Sequence, residues 1–153
     1  EYQNVKIPTL REVYEALKKI ASKDSVGMVR GYAIVALGDV AVEINKEKEA
    51  TKFLKNLLKR EKSDFAMIDI WAVLYCLGEE RWLSYLLEKI DSSKSSERCE
   101  VANCLYGIVD EENKEQIKTI LKKRRKIEKS KEVIESIEEV LDIIKKDYNK
   151  KGM

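Results

Sequence analysis

The residues best suited to chemistry are carboxylates and aromatic side chains that concentrate in the middle third of the chain. Residues 61–110 hold 10 acidic and 5 basic residues, whereas residues 1–60 hold 8 and 12 and residues 111–153 hold 10 and 13. Both tryptophans also lie in this acidic region. The candidate functional residues are therefore Asp64, Asp69, Trp71, Tyr75, Glu79, Glu80, Trp82, Tyr85, Glu88, Asp91, Glu97 and Glu100.

Catalysis by these carboxylates would need a pocket that separates the pKa values of a pair, so that one acts as acid and one as base. A Ser–His or Cys–His nucleophile is excluded because the chain has no histidine. No glycine-rich phosphate loop is present. Charge pairs within helices, such as Asp142 with Lys146, explain most of the acidic residues without a catalytic role. We therefore expect a protein that is not an enzyme.

The cysteines do not suggest a metal site. There are three of them, none spaced as Cys-x-x-Cys, and a zinc ion would have to recruit carboxylates instead of histidine. Buried, inert thiols in a reducing compartment are the simpler interpretation. We expect no metal and no cofactor.

The acidic region is better interpreted as a binding surface than as a catalytic site. In a helix predicted over about residues 80–90, Arg81, Tyr85 and Glu88 fall opposite an apolar face. Aromatic side chains rimmed by charge are favoured at protein interfaces. The candidate partner-binding residues are Asp64, Glu80, Trp82, Tyr85, Glu88 and Glu97. The alternative is that these carboxylates form a solvated face and that Trp71 belongs to the core.

A basic run at residues 122–126 could contact phosphates. The same run ends a predicted helix, where cations interact favourably with exposed carbonyl groups. It also lacks the aromatic side chains that stack on bases. Nucleic-acid binding is therefore kept as an alternative and not as the leading interpretation.

The elements that position these residues are predicted to be helices throughout, since the chain has one proline and six glycines. Thr9 and Glu12 fit a capping box, and Asn45, Ser63 and Asn113 are predicted helix caps. The helix over residues 26–42 is apolar on more than one face, so we expect neighbours to cover it. We expect one domain over 1–153: an irregular arm at 1–7, stacked helical pairs over 8–126 and a capping helix over 129–149 with a polar outer face.

The chain also repeats itself. Leu37-Gly38 recurs as Leu77-Gly78, and Gly107 follows 29 residues later. Asn45-Lys46-Glu47 recurs as Asn113-Lys114-Glu115, 68 residues on, or two periods of 34. Each unit is expected to be an apolar helix closed by a glycine, a short link and an amphipathic helix. Such units bury their apolar faces by stacking on one another.

The segment Val29-Arg30-x-x-Ala33-x-x-Ala36-Leu37-Gly38-Asp39 resembles the first helix of a HEAT repeat. Partial copies lie at residues 70–78 and 102–107, so the resemblance covers residues 26–126. It implies an all-α fold, a short HEAT-like α-solenoid of about eight helices in antiparallel pairs. The second helix of each pair would line a concave groove, with Tyr85 and Glu88 in it. Bundle packing without stacking is the alternative. HEAT-like DNA glycosylases use a basic groove, whereas the middle region here is acidic.

Most such repeats bind other macromolecules, and the chain is also similar in size and Lys/Glu-rich composition to helical immunity proteins of bacterial contact-dependent and polymorphic toxin systems. That similarity implies a cytoplasmic antidote, a monomer that binds a toxin domain 1:1 and occludes its basic active-site groove, for example that of a nuclease. A scaffold or assembly adaptor and a nucleic-acid-binding HEAT-like protein are the alternatives. No apolar run approaches the ~20 residues that span a bilayer, so no membrane association is expected.

Overall fold

The computed structural model describes residues 7–151, with side chains described as far as residue 146. This part of the chain is helical and contains no strand, which confirms the all-α part of the predicted fold class. The helices are α1 (Leu10–Lys23), α2 (Gly27–Glu43), α3 (Glu47–Leu58), α4 (Asp64–Cys76), α5 (Trp82–Glu88), α6 (Ser95–Ile108), α7 (Lys114–Arg125) and α8 (Lys131–Lys151), with a 3-10 turn at Lys89–Asp91 after α5. Most of the predicted arm, residues 1–6, lies outside the described residues.

Two of the predicted caps are confirmed. The Glu12 N–H donates to Thr9 Oγ1 at 3.2 Å, while the Thr9 N–H donates to Glu12 Oε2 at 2.8 Å, which is the capping box. Ser63 Oγ accepts the N–H of Ala66 at 3.4 Å in the first turn of α4. Both hydroxyls satisfy backbone donors that a helix start would otherwise leave without a partner.

The other two caps differ from the prediction. Lys46, and not Asn45, is the residue before α3, and Asn45 adopts a left-handed backbone with φ 56°. Asparagine tolerates this conformation better than most residues. Asn113 does precede α7, but its side chain accepts the Asp110 N–H and donates to the Ile108 carbonyl. It therefore closes the loop before α7 and does not cap the helix.

The two Leu-Gly copies have different roles. Gly78, at φ 99°, follows the last turn of α4, where a side chain would be strained. The repeat pattern placed Gly38 at the close of an apolar helix, although the helix itself was predicted over residues 26–42; α2 does continue past Gly38, to Glu43. A Cβ at Gly38 would lie 2.6 Å from Val73 Cγ1, so this glycine lets α2 and α4 approach closely. The prediction that glycine closes each apolar helix is wrong for Gly38, and also for Gly107, which lies inside α6.

By internal contacts the chain divides into two compact units, residues 1–73 and 74–153. In the first unit α2 packs on α1, α3 and α4. In the second unit α6 packs on α8 and on the 3-10 turn, and α7 packs on α8. Fully buried apolar side chains fill each unit, among them Ile34, Leu37 and Leu54 in the first and Leu105, Ile117 and Val140 in the second. A single domain over the whole chain stays a prediction.

A partly buried ion pair, here called the first clamp, joins three segments of the first unit. Arg30 of α2 donates from Nε and Nη2 to both oxygens of Glu61, at 2.9 and 2.6 Å, and from Nη1 to the Asp24 carbonyl at 2.8 Å. Glu61 Oε1 also accepts the N–H groups of Lys62 and Ser63, both at 2.8 Å. The clamp therefore fixes α2 to the loop before it and to the loop that starts α4.

A second clamp repeats this geometry in the second unit. Arg98 of α6 donates to both oxygens of Glu128 at 2.7 and 2.8 Å, and to the Ser92 carbonyl at 2.8 Å. Glu128 accepts the N–H groups of Lys129 and Ser130, both at 2.9 Å. The arginines are 68 residues apart and the glutamates 67, each glutamate opening a Glu-Lys-Ser tripeptide. The recurrence seen in Asn-Lys-Glu is thus matched by a recurring ion pair.

The two clamp carboxyls have lowered pKa values. The hydrogen bond from Arg98 holds the pKa of Glu128 far below its usual range, with further help from Ser130, Arg124 and Lys129. Burial raises the pKa of Glu61, but the hydrogen bonds from Arg30, Ser63 and Lys62 outweigh it and the net pKa is lowered. In both cases the hydrogen bonds favour the charged carboxylate over the neutral carboxyl group.

Removing one partner of a clamp should be strongly destabilising. Glu128→Ala leaves the Arg98 guanidinium buried without its carboxylate, which typically costs about 3–5 kcal/mol of unfolding free energy. Urea unfolding followed by circular dichroism measures the change. Glu138→Ala is the matched control, because the Arg125–Glu138 pair lies at the surface and surface pairs contribute little. Equal effects of the two substitutions would contradict the assigned role of the clamp.

The lowered pKa of Glu128 also predicts a pH dependence. The unfolded carboxyl has a pKa of about 4.3, so the stabilisation is complete above that pH and is lost as the pH falls toward the lower folded value. We expect the unfolding free energy of Glu128→Gln to fall less steeply than that of the wild type between about pH 5 and pH 3. Parallel slopes, measured by urea titration at each pH with Glu138→Gln as control, would contradict this assignment.

Candidate protein-binding surfaces

The outer face of α5 carries the aromatic and charged side chains that sequence analysis singled out. Leu83, Leu86 and Leu87 are buried, whereas Arg81 and Glu88 are exposed and Tyr85 is 50% exposed. The predicted separation of the two faces is therefore confirmed. It follows from helical spacing, since residues three and four apart lie on one side of a helix.

Three side chains of this face pack against one another. The ring centroids of Trp82 and Tyr85 are 5.2 Å apart, and the Arg81 guanidinium carbon lies 4.5 Å from the Trp82 ring centroid. Trp82 Nε1–H donates to Glu79 Oε2 at 3.2 Å, and Arg81 Nη2 lies 3.6 Å from the same carboxylate oxygen. The half-buried indole is thus held on two sides. An aromatic surface already held in place loses little side-chain entropy when a partner binds.

The α5 patch is defined here as Glu80, Arg81, Trp82, Tyr85 and Glu88. Glu80 and Glu88 are exposed at its edge, and Glu79, which holds Trp82, adds a third carboxylate. The patch therefore offers aromatic area inside a mainly acidic rim. The exposed carboxylates of Glu80 and Glu88 attract a partner with basic side chains.

The structure places the other predicted residues elsewhere. Glu97 is only 4% exposed; it accepts a hydrogen bond from Ser92 Oγ at 2.5 Å and pairs with Lys94 at 3.0 Å. Its carboxylate therefore serves the start of α6, and we leave it out of the α5 patch. Asp64 is a half-buried residue of the first unit, at the first position of α4, and its binding role stays a prediction. Trp71 is buried, which confirms the core interpretation.

Two guanidinium groups of the basic run at residues 122–126 are engaged within the second unit. Arg124 donates to Glu128 at 2.8 Å and lies 3.3 Å from Asp91, while Arg125 donates to Glu138 at 2.8–2.9 Å. These pairs favour the interpretation of the run as the basic end of a helix. The thiols differ from the prediction: Cys76 is exposed, and Cys99 and Cys104 are half-buried.

Sequence analysis missed a second surface, on α2 in the first unit. Five apolar side chains of this helix are between 38% and 56% exposed, and helical spacing puts them on one side of it: Met28, Val29, Tyr32, Val35 and Val42, here called the α2 stripe. Neighbouring helices pack on α2 as expected, but they leave this side of it open to solvent. The low charge of α2 could have indicated this surface, since the helix carries only three charged residues, Arg30, Asp39 and Glu43.

Comparison of the chain with protein-family models, with curated proteins and with solved structures finds no match. Among the helices that the structure describes, none combines the length and the apolar character needed to cross a bilayer. The argument for function therefore depends on the two surfaces themselves.

The two tryptophans should differ in their access to solvent. A Trp71→Phe variant reports on Trp82 alone, and a Trp82→Phe variant reports on Trp71 alone. We expect acrylamide to quench the fluorescence of Trp82 more strongly than that of Trp71, because the first is half-buried and the second buried. Equal quenching in the two folded variants would show that the indole of Trp82 is not presented at the surface.

Proposed function

We propose that this chain is a non-enzymatic, protein-binding helical repeat protein whose α5 patch contacts a basic partner. The observation that carries the proposal is the half-exposed Tyr85 packed against Trp82 beside the carboxylates of the patch. Tyrosine and tryptophan are enriched among the residues that dominate binding energy at interfaces. The antiparallel helix pairs of a HEAT-like solenoid are part of the proposal, and the recurrence of the clamp after 67–68 residues supports them.

Within this class, the role that we propose is that of an immunity protein. Its partner would be a toxin domain, such as a nuclease, whose substrate groove is basic. Glu80 and Glu88 would enter that groove and exclude the substrate, while Tyr85 supplies apolar contact area. Charge complementarity of this kind raises the association rate and disfavours partners without a basic surface. One partner molecule per chain, with a standard interface of about 800 Å² on each side, would suffice.

Affinity capture from cells that produce the protein, followed by mass spectrometry, tests this role. A single stoichiometric partner with a basic catalytic domain, whose activity is blocked in the complex, supports the immunity role. A set of several housekeeping proteins supports a scaffold or adaptor instead. Salt-sensitive binding to DNA or RNA, lost when the basic run at 122–126 is neutralised, would support nucleic-acid binding and count against the proposal.

The α5 patch itself is tested by the double variant Tyr85→Ala, Glu88→Lys. We expect the dissociation constant for the captured partner to rise by at least about 30-fold, the effect of losing one interface residue worth 2 kcal/mol. Isothermal titration calorimetry measures it, and circular dichroism checks that the helix content is retained.

The matched control is the double variant Tyr106→Ala, Glu112→Lys. Tyr106 is also a half-exposed tyrosine of the second unit, at 52%, but it lies on α6, and Glu112 is an exposed glutamate. This control should bind the partner as the wild type does. Unchanged binding of the α5 variant, or an equal loss in both variants, would remove the α5 patch as the binding surface.

A further inference from the structure

A cavity of about 250 Å³ opens beside the first clamp, within the first unit. The clamp residues Arg30 and Glu61 form part of its wall, together with residues from the C-terminal ends of α1 and α3. Pockets that hold drug-sized ligands measure about 300 Å³ or more. This cavity is therefore suited to a smaller molecule.

The second unit has a side chain in the corresponding place. There, Oε2 of Glu128 accepts two guanidinium hydrogen bonds, at 2.7 and 2.8 Å, and the second comes from Arg124. The residue 67 positions earlier is Leu57, by the same spacing that relates the clamp glutamates. Leucine has no donor, so among the described residues Oε2 of Glu61 accepts only the Nε–H of Arg30, at 2.9 Å.

A second replacement leaves room at the same place. Ser22 lines the cavity, and the residue 68 positions later, by the spacing of the clamp arginines, is Ile90. Ile90 is 2% exposed and fills space in the second unit, whereas serine is smaller. The first unit thus has two shorter side chains where the second unit has a guanidinium and a buried isoleucine.

The inner part of the cavity favours a cation. The helices α1 and α3 both end beside it, and the C-terminal end of a helix is negative. Asp24 also lines it: Oδ1 of this carboxylate accepts the Val26 N–H at 2.8 Å, and Oδ2 accepts nothing from the described residues. The Glu61 side chain is only 2% exposed. We therefore expect Asp24 and the carbonyl groups of the helix ends to accept most of the ligand's N–H groups.

The outer part of the cavity favours an anion instead. Arg60 and Lys62 line it, and both residues are exposed. Neither forms an ion pair with another residue in the part of the chain whose side chains are described. A ligand that matches the whole cavity therefore carries a positive group at one end and a negative group at the other.

We propose that this cavity binds an arginine that has a free carboxylate. Its guanidinium would enter the place that Arg124 occupies in the second unit and donate to Asp24 and Glu61, while its carboxylate would pair with Arg60 and Lys62. A planar guanidinium with several fixed N–H donors suits carboxylate and carbonyl acceptors. The free amino acid and the C-terminal arginine of a peptide share this chemistry. The site lies in the first unit and does not depend on the proposed function of the α5 patch.

An NMR titration of the full ¹⁵N-labelled chain with Nα-acetyl-L-arginine tests the proposal. We expect a dissociation constant in the millimolar range, because the ligand has few atoms. The amide shifts should concentrate at residues 22–30 and 57–62. Nα-acetyl-L-citrulline, which lacks the charge of the guanidinium, should bind at least about 10-fold more weakly, and so should the amide of Nα-acetyl-L-arginine, which lacks the carboxylate.

The same titration with L-arginine distinguishes the two sources. Tighter binding of L-arginine than of its acetyl derivative identifies the free amino acid as the ligand. Tighter binding of the acetyl derivative identifies the end of a peptide chain, where no ammonium group is present. Either order supports the site.

Leu57→Arg gives the first unit the guanidinium that the second unit has in this place. We expect this variant to keep its helix content by circular dichroism and to lose arginine binding, since its own side chain fills the cavity. The matched control Asn56→Arg adds the same charge at the neighbouring exposed position, which does not line the cavity, and should bind arginine as the wild type does. Ser22→Ile blocks the cavity in a second way if Leu57→Arg loses structure.

Four results would overturn the proposal. They are the absence of amide shifts at about 10 mM ligand, shifts confined to other residues, equal binding of the citrulline derivative, and unchanged binding by a folded Leu57→Arg or Ser22→Ile variant. Tyr85→Ala with Glu88→Lys should bind arginine as the wild type does. Loss of the captured partner in that variant, and loss of arginine in Leu57→Arg, are thus separate results for the proposed function and for this cavity.

Discussion

The rest of this structure depends on a bidentate arginine–glutamate pair that is taken out of water. Desolvating two charges is expensive, and only close geometry with further hydrogen bonds offsets the cost. Each clamp meets that condition, because the glutamate also accepts two backbone N–H groups and the arginine also donates to a carbonyl. The clamp therefore tolerates little displacement, and it sets the position of a central helix relative to the loops around it.

A frame fixed in this way leaves the outer faces of its helices open to change. Once the positions of α2 and α6 are set by Arg30 and Arg98, their solvent sides need only avoid disturbing the pair. The result is that exposed positions 68 residues apart can differ in character, as the apolar Val35 of α2 and the polar Asn103 of α6 do. Function is therefore to be sought where corresponding helices differ, because the features that they share are explained by packing.

How well a feature could be predicted from the sequence depends on how far apart in the chain its interacting residues are. Helical spacing and the Thr9–Glu12 box involve neighbours within four residues, and they gave the all-α fold and the outward face of α5 correctly. Glu97 and the clamps could not be found that way, since periodicity treats a charged residue as a surface residue and the clamp partners are 30 or 31 residues apart. The exposure of α2 was missed for a related reason. An apolar helix face predicts that something packs on it, but not whether that is another part of the same chain.

The geometry of the α5 patch also indicates which of its aromatic residues would contribute most to binding. Arg81 already lies over the Trp82 ring, so an incoming cation would have to displace it to reach that face. Tyr85 is half-exposed, and its position is supported by Trp82 from one side. Trp82 is thus better placed to orient Tyr85 than to contact the partner itself. The binding energy of the patch should accordingly centre on Tyr85 and the carboxylates beside it, with the indole acting through the rigidity that it gives to that side chain.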